Sequence, residues 1–138
     1  MDLSIVLPTY NEKDNIINLV EQILEILKNT ENKEIIVVDD NSPDGTHSAI
    51  SNAFEKNDRI KILLRKSNRG LANSIIEGIK ISKGKNIIVM DTDLTHDPGL
   101  IPKLIYLIKE YDIISCSRYC AGGLMGNKIH FYFSFFFN

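Results

Sequence analysis

Tryptophan is absent from this chain of 138 residues, and cysteine (two), proline (four) and histidine (three) are scarce. Cys116 and Cys120 do not form a C-x-x-C pair, and no Cys/His set has zinc spacing. A disulfide scaffold and a structural zinc module are both excluded, and the two thiols read as small, reduced, apolar residues. No apolar run reaches the roughly 20 residues that cross a bilayer. The chain opens directly on the strand-like Asp2-Leu3-Ser4-Ile5-Val6-Leu7, so no secretory leader is expected. Excess charge of one sign is also missing: 16 Lys and Arg face 18 Asp and Glu, a net charge of -2. Nothing electrostatic therefore points to nucleic acid. With 43% hydrophobic and 25% charged residues, the composition is that of an ordinary globular protein of single-domain length.

What is present alternates. Strand-like runs cover Ser4–Leu7 (ended by Pro8), Glu34–Val38, Arg59–Leu64, Ile87–Met90 and Asp112–Cys116. Helix-period segments lie between them: Asp14–Lys28 with Asn11 or Asp14 as cap, Thr46 to about Lys56, Leu71–Ser82, and about Gly99–Tyr111. Five β-then-α repeats predict an α/β fold, a mostly parallel sheet flanked by helices. No repeat, low-complexity tract or interdomain linker interrupts it. The unit is expected to span residues 1–118. Residues 119–138 differ in kind, since six of the eleven Phe and Tyr residues fall in the last eight positions. This segment reads as the truncated start of something larger.

The loops at the strand ends carry the chemistry. Asp91 and Asp93 follow the fourth strand. If extended geometry continues past Met90, residues i and i+2 project to one side, and two carboxylates converge where open α/β sheets bind ligands. A hard divalent cation shared with phosphates is one reading; a solvated acidic turn capping the next helix is the other. The first loop, Pro8-Thr9-Tyr10-Asn11-Glu12, offers a ring, an amide and a carboxylate beside helix N-terminal amides that face the same crevice. In the second loop, Asp39 and Asp40 point to opposite faces. Asp39 is the ligand candidate, whereas Asp40, Ser42, Asp44 and Gly45 are assigned to turn and cap.

Taken together, Pro-Thr-Tyr-Asn-Glu (8–12), Val-Asp-Asp-Asn-Ser-Pro-Asp-Gly-Thr (38–46) and Met-Asp-Thr-Asp-Leu-Thr-His-Asp-Pro (90–98) resemble glycosyltransferase family 2. Within it, the chain is most similar to the dolichyl- or polyprenyl-phosphate mannosyltransferases and glucosyltransferases. Asn68-Arg69-Gly70-Leu71, Ile76-Glu77-Gly78, Ser117-Arg118-Tyr119 and Gly122-Gly123 extend the match in order. The resemblance implies a GT-A (Rossmann-like) fold and inverting transfer of a hexose, mannose favoured, to a polyprenyl phosphate. The donor would be GDP-mannose or a UDP-hexose. Pro8, Tyr10, Glu12, Val37 and Asp39 would surround base and ribose, with Asp91, Thr92 and Asp93 along ribose and diphosphate. Asp93 would hold Mg²⁺ or Mn²⁺, with Asp91 and Thr95 beside it and His96 a turn residue. Arg118 would act on phosphate as a catalytic cation, and Lys128 would meet the acceptor phosphate.

The resemblance also implies a peripheral position on the cytoplasmic face of a membrane, with residues 131–137 as an interfacial helix. Relatives usually place a Trp and several basic residues after the Gly-Gly pair, where this chain has Leu124-Met125-Gly126-Asn127-Lys128. Two alternatives stay open: a glycan hydroxyl as acceptor, or a donor-binding fragment without turnover. A phosphoacceptor receiver domain fits poorly. It needs an acidic pair after the first strand and an Asp after the third, where this chain has Glu12 alone and Arg65-Lys66.

Overall fold

The computed structural model describes residues 2–117. Arg118, Lys128 and the aromatic segment at 131–137 lie outside them. The chain divides into a unit over Met1–Lys103 and a second over Leu104–Asn138. Along the described residues run β1 (Leu3–Thr9), α1 (Lys13–Ile26), β2 (Lys33–Asp39), α2 (Thr46–Phe54), β3 (Ile60–Leu64), α3 (Leu71–Ile81) and β4 (Asn86–Val89). A 3-10 turn (Pro98–Leu100) and α4 (Ile101–Leu107) follow. The four strands form one parallel sheet in the order β3-β2-β1-β4.

Every residue of β1 and β2 is buried, as expected of central parallel strands covered on both faces. Val6, Ile36 and Val38 make the core of one face, with Leu63 and Ile87 against it. Helix α3 packs there, and Gly78 is what lets it approach: a Cβ at that position would stand 2.4 Å from Val6 Cγ1 and 3.1 Å from Val38 Cγ2. Helices α1 and α2 pack against each other and cover the opposite face, burying Ile16, Leu19, Val20, Ile23 and Ile50. The order reverses between β1 and β4, which makes their carboxyl ends the topological switch point of the sheet.

Three sequence expectations are corrected. Pro8 does not end β1, which continues through Thr9 paired to Asp39. The Val6 carbonyl accepts from Met90 N–H toward β4, and the Thr9 carbonyl accepts from Asp40 N–H toward β2. Backbone groups alternate, so Pro8 faces the β4 side, beyond the last β1–β4 pair, Val6↔Val89. Its missing N–H therefore costs no ladder bond.

No strand forms over Asp112–Cys116; among the described residues the sheet has four strands. Two apolar residues followed by Ser-Cys-Ser provide little face to bury, and Ile113 is 89% exposed. The segment predicted as a helix over 99–111 is a capped 3-10 turn followed by seven helical residues, with the Asp97 carboxylate accepting from Gly99 N–H at 2.8 Å.

At the amino end of the sheet, buried Glu34 gathers polar groups from three other segments. Its carboxylate accepts from Ser4 Oγ and Lys83 N–H, each at 2.6 Å, and Lys61 Nζ lies 2.6 Å from its second oxygen. Burial pushes the Glu34 carboxyl up, but the Lys61 ammonium, the Ser4 hydroxyl and the Lys83 amide outweigh it and hold it below its ordinary value.

Candidate functional site

At the switch point, the β1–α1 loop and the segment after β4 meet. Thr92 is buried, and its hydroxyl donates to the Pro8 carbonyl at 3.3 Å. That carbonyl points to the β4 side, where the ladder has stopped and left it available. The two loops that the sequence marks as chemical are thus stitched by one hydrogen bond.

Beyond Met90 the chain turns, and extended geometry ends at Val89. Leu94 adopts a left-handed φ of 62°. Asp91 N–H donates to His96 Nδ1 at 3.1 Å, and the Asp91 carboxylate lies 3.7 Å from His96 Nε2. His96 is the turn residue expected. The Asp93 carboxylate accepts from Thr95 N–H at 3.0 Å and from Thr95 Oγ1 at 2.7 Å. Both acidic groups are therefore oriented by the turn itself, not by strand alternation. Their donor set is hard oxygen, exposed to solvent at Asp93 and Thr95, and it suits a hard divalent cation. Among the described residues no group of three or more His, Cys, Asp or Glu side chains could hold a metal ion. A cation here must take further oxygens from its ligand or from water.

The first loop is held by the second. The N–H groups of Asn11, Glu12 and Lys13 donate to Ser42 Oγ (2.9 Å), Thr46 Oγ1 (3.1 Å) and Asp44 Oδ2 (3.1 Å). Neither Asn11 nor Asp14 caps α1; the caps come from some thirty residues away. Of the amides at the start of α1 expected to face the crevice, those of Glu12 and Lys13 are occupied by protein oxygens. Asp44 also accepts from Thr46 N–H at 2.9 Å, tying the start of α2 into the same knot.

Asp39 is 0% exposed, and its two oxygens accept from Ser42 N–H at 3.3 Å each. It shapes the second loop from inside, and Val37 lies fully buried in β2 behind it. Glu12 is the residue at the start of α1 and accepts from Asn15 Nδ2 at 2.8 Å.

Asp40 points to the α3 face, as strand alternation requires. There it forms no turn: it pairs with Arg65 and accepts from Gly70 N–H at 2.6 Å. Above it opens a cleft of about 470 Å³ lined by Pro8, Thr9, Tyr10, Asp40, Arg69, Gly70, Leu71 and Ser74. Tyr10 is 48% exposed, and the Arg69 guanidinium carbon sits 4.5 Å from the centre of its ring. An aromatic face and a planar cation beside an apolar wall suit a flat, electron-rich heterocycle. Sequence reasoning placed Arg69 in a segment that extends the match but gave it no role in the site. The available signal was a permanent cation immediately before the glycine that opens α3, at the carboxyl end of a strand.

A family model described as glycosyl transferase family 2 matches residues 4–136. The chain belongs to glycosyl transferase family 2. Among curated family 2 relatives, the dolichol-phosphate mannosyltransferase of Pyrococcus furiosus is 41% identical over 128 residues, 92% of this chain and 36% of the relative. The Saccharomyces cerevisiae protein of the same name is 32% identical over 127 residues, 88% of this chain and 46% of its own length. The chain thus spans less than half the length of these relatives.

Solved structures share the fold. Mannosyl-3-phosphoglycerate synthase from Rubrobacter xylanophilus aligns with a TM-score of 0.67 at 18% identity, over 80% of this chain and 36% of that one. A mannosyltransferase from Pyrobaculum calidifontis, in complex with GDP-Man and Mn²⁺, aligns with a TM-score of 0.65 at 22% identity, over 83% and 35%. The α/β architecture read from the strand-helix alternation is the GT-A fold of this family, one strand short of the expected five among the described residues.

Proposed function

We propose that this chain is the donor-binding and catalytic core of an inverting, metal-dependent hexosyltransferase that moves mannose from a nucleoside-diphosphate sugar to a polyprenyl phosphate. One observation carries the reading: at the switch point a Tyr10–Arg69 cleft suited to a base is joined, through Thr92 and Pro8, to the Asp91–Thr95 oxygen cluster suited to a cation and diphosphate. The names of the relatives, at 32% to 41% identity, favour mannose and a dolichol-type phosphate.

Tyr10 and Arg69 receive the base, with Pro8 and Leu71 as the apolar wall of the cleft. Asp39, inside the second loop, holds Ser42 in place and so shapes the wall beside base and ribose. Glu12 and Val37 support the same loops from the start of α1 and from the core of β2. Thr92 fixes the DxD segment against β1, while Asp91 orients ribose or diphosphate. Asp93 and Thr95 would hold Mg²⁺ or Mn²⁺, with Mn²⁺ favoured by the Pyrobaculum calidifontis complex. When bound, the cation neutralises charge developing on the leaving diphosphate.

The acceptor is already a nucleophile. A phosphate monoester is largely ionised near neutral pH, its second pKa being about 6. No general base is required of this chain, and Arg118 and Lys128 serve as phosphate-binding cations. Residues 119–138 begin the acceptor side. Their aromatic cluster suits the lipid-water boundary on the cytoplasmic face of a membrane. Among the described residues, no helix is long and apolar enough to cross one.

Calorimetry with GDP-mannose and UDP-glucose, with and without Mn²⁺, tests donor binding. Transfer of radiolabelled mannose to polyprenyl phosphate tests turnover. Binding of neither donor in the presence of Mn²⁺ would refute the reading.

A further inference from the structure

We infer that the buried Asp40–Arg65 pair is a positioning device whose task is to hold Arg69 over Tyr10. Both members of the pair are buried. A buried ion pair seldom adds net stability over apolar residues of similar volume, so what this one holds in place matters more than its own energy. Arg65 donates to the Asp40 carboxylate, to Ser74 Oγ at 2.8 Å and to the Asn68 carbonyl. The second Asp40 oxygen accepts from Gly70 N–H at 2.6 Å. One partner thus grips the carbonyl before Arg69, and the other grips the amide after it. The two peptide groups that flank Arg69 are both fixed from beneath.

The loop needs such a grip. Asn68 has a φ of 51° and Gly70 a φ of 127°, left-handed values that leave a turn of this kind dependent on outside contacts. Ser74 brings α3 into the network, so the helix and the loop before it are set by the same guanidinium. Arg69 is itself exposed, and a free arginine there would spread over many rotamers. Anchoring its backbone on both sides lowers the entropy cost of placing the guanidinium 4.5 Å from the Tyr10 ring. Asp40, at the floor of the cleft, and Arg65, beneath it, are positioning residues in this scheme, since both act through Arg69.

The link to affinity rests on the nucleotide reading above; the link to Tyr10 does not. The test compares the full chain with Asp40→Asn, Arg69→Ala and the double variant. It reads tyrosine-ring NMR resonances of the free protein and calorimetric affinities for GDP and UDP. Arg69→Ala is expected to shift the Tyr10 ring resonances and weaken nucleotide binding about 3- to 30-fold, the range of a partly desolvated cation–π contact. Asp40→Asn should shift the same resonances in the same direction. Added to Arg69→Ala, it should cost less than twofold more, because its route is already cut.

Equal losses from Asp40→Asn in both backgrounds would overturn the proposal, as would Tyr10 resonances that ignore Asp40→Asn in a folded protein. If the wild-type chain binds neither GDP nor UDP while the resonances respond as described, the positioning role stands and the nucleotide reading falls. Ser74→Ala removes one guanidinium partner and keeps the charge pair. It covers the case in which Asp40→Asn does not fold: a smaller Tyr10 shift of the same sign supports the device, and none overturns it.

Discussion

Replacing Gly78 by alanine tests how closely α3 must lie on the sheet. The added Cβ would stand 2.4 Å from Val6 Cγ1, 3.1 Å from Val38 Cγ2 and 3.4 Å from Val6 Cγ2. Carbon atoms prefer about 3.5–4.0 Å, so the helix must retreat by about 1 Å or Val6 must leave its rotamer. Overpacking of this kind costs about 1–3 kcal/mol. Against it stands the helix preference for alanine over glycine, about 1 kcal/mol. The two give a net destabilisation of up to about 2 kcal/mol, and at about 4 °C per kcal/mol for a chain of this length a melting temperature lower by up to about 8 °C. Urea unfolding followed by circular dichroism reads the value directly. In combination with Val6→Ala, which carries its own cavity cost, the two losses should fall clearly short of additive, because Val6→Ala removes the two methyl groups that clash. A Gly78→Ala protein more stable than wild type would refute the close approach, and with it the placement of Gly70 and Ser74 under the cleft.

Asp93→Ala should abolish metal-dependent donor binding with little change in the urea midpoint, since Asp93 and Thr95 are exposed; unchanged binding with Mn²⁺ removes Asp93 from the metal role. Tyr10→Ala should weaken GDP or UDP by about 1–3 kcal/mol, the worth of an aromatic stack on a base, as read by calorimetry. Thr92→Val should cost about 1 kcal/mol in urea unfolding by leaving the buried Pro8 carbonyl unpaired, and it should also lower donor affinity by loosening the DxD segment. The pH dependence of stability should carry a signature of Glu34. Its folded pKa lies below its ordinary value, so the unfolded chain binds the proton more readily. The resulting stability is present above the unfolded pKa and is lost as pH falls through the folded one. Glu34→Gln should therefore flatten the acid limb below about pH 4.5 in pH-jump unfolding, and an unchanged limb would remove Glu34 as its source.

The sheet was legible because its signal is local. Uninterrupted Ile, Val and Leu in β1 and β2 state burial on both faces, and the spacing of Ile16, Leu19, Val20 and Ile23 states one buried stripe. The strand ends named the two loops that meet at the switch point. What sequence missed depends on partners far away along the chain. Pro8 was misread because its tolerance depends on where β4 stops, some eighty residues on. The caps of α1 come from Ser42, Asp44 and Thr46, which no local rule connects to Lys13. Asp40 was assigned to turn and cap and Arg69 given no role in the site, and only the pairing of β3 with β2 and the packing of α3 on β1 bring them beside Tyr10. The Asp112–Cys116 strand was read from two isoleucines, and a strand also needs a neighbour to share its hydrogen bonds.

The knot at the start of α1 has a consequence for how this site handles negative charge. In many nucleotide-binding α/β folds the positive pole of the first helix is the phosphate receptor, a permanent part of the backbone that needs no ion. Here the first two amides of α1, those of Glu12 and Lys13, already donate to Thr46 Oγ1 and Asp44 Oδ2, and Asn11 N–H just before them donates to Ser42 Oγ. Those two amides hold the first loop to the second and are not offered to an anion. Under the proposed function, the diphosphate charge would fall to exchangeable or movable cations, a divalent ion and arginine side chains. Such a site is empty-handed in chelator and responsive to ion concentration, so affinity for a nucleoside diphosphate should track free Mn²⁺ far more steeply than affinity for the nucleoside alone.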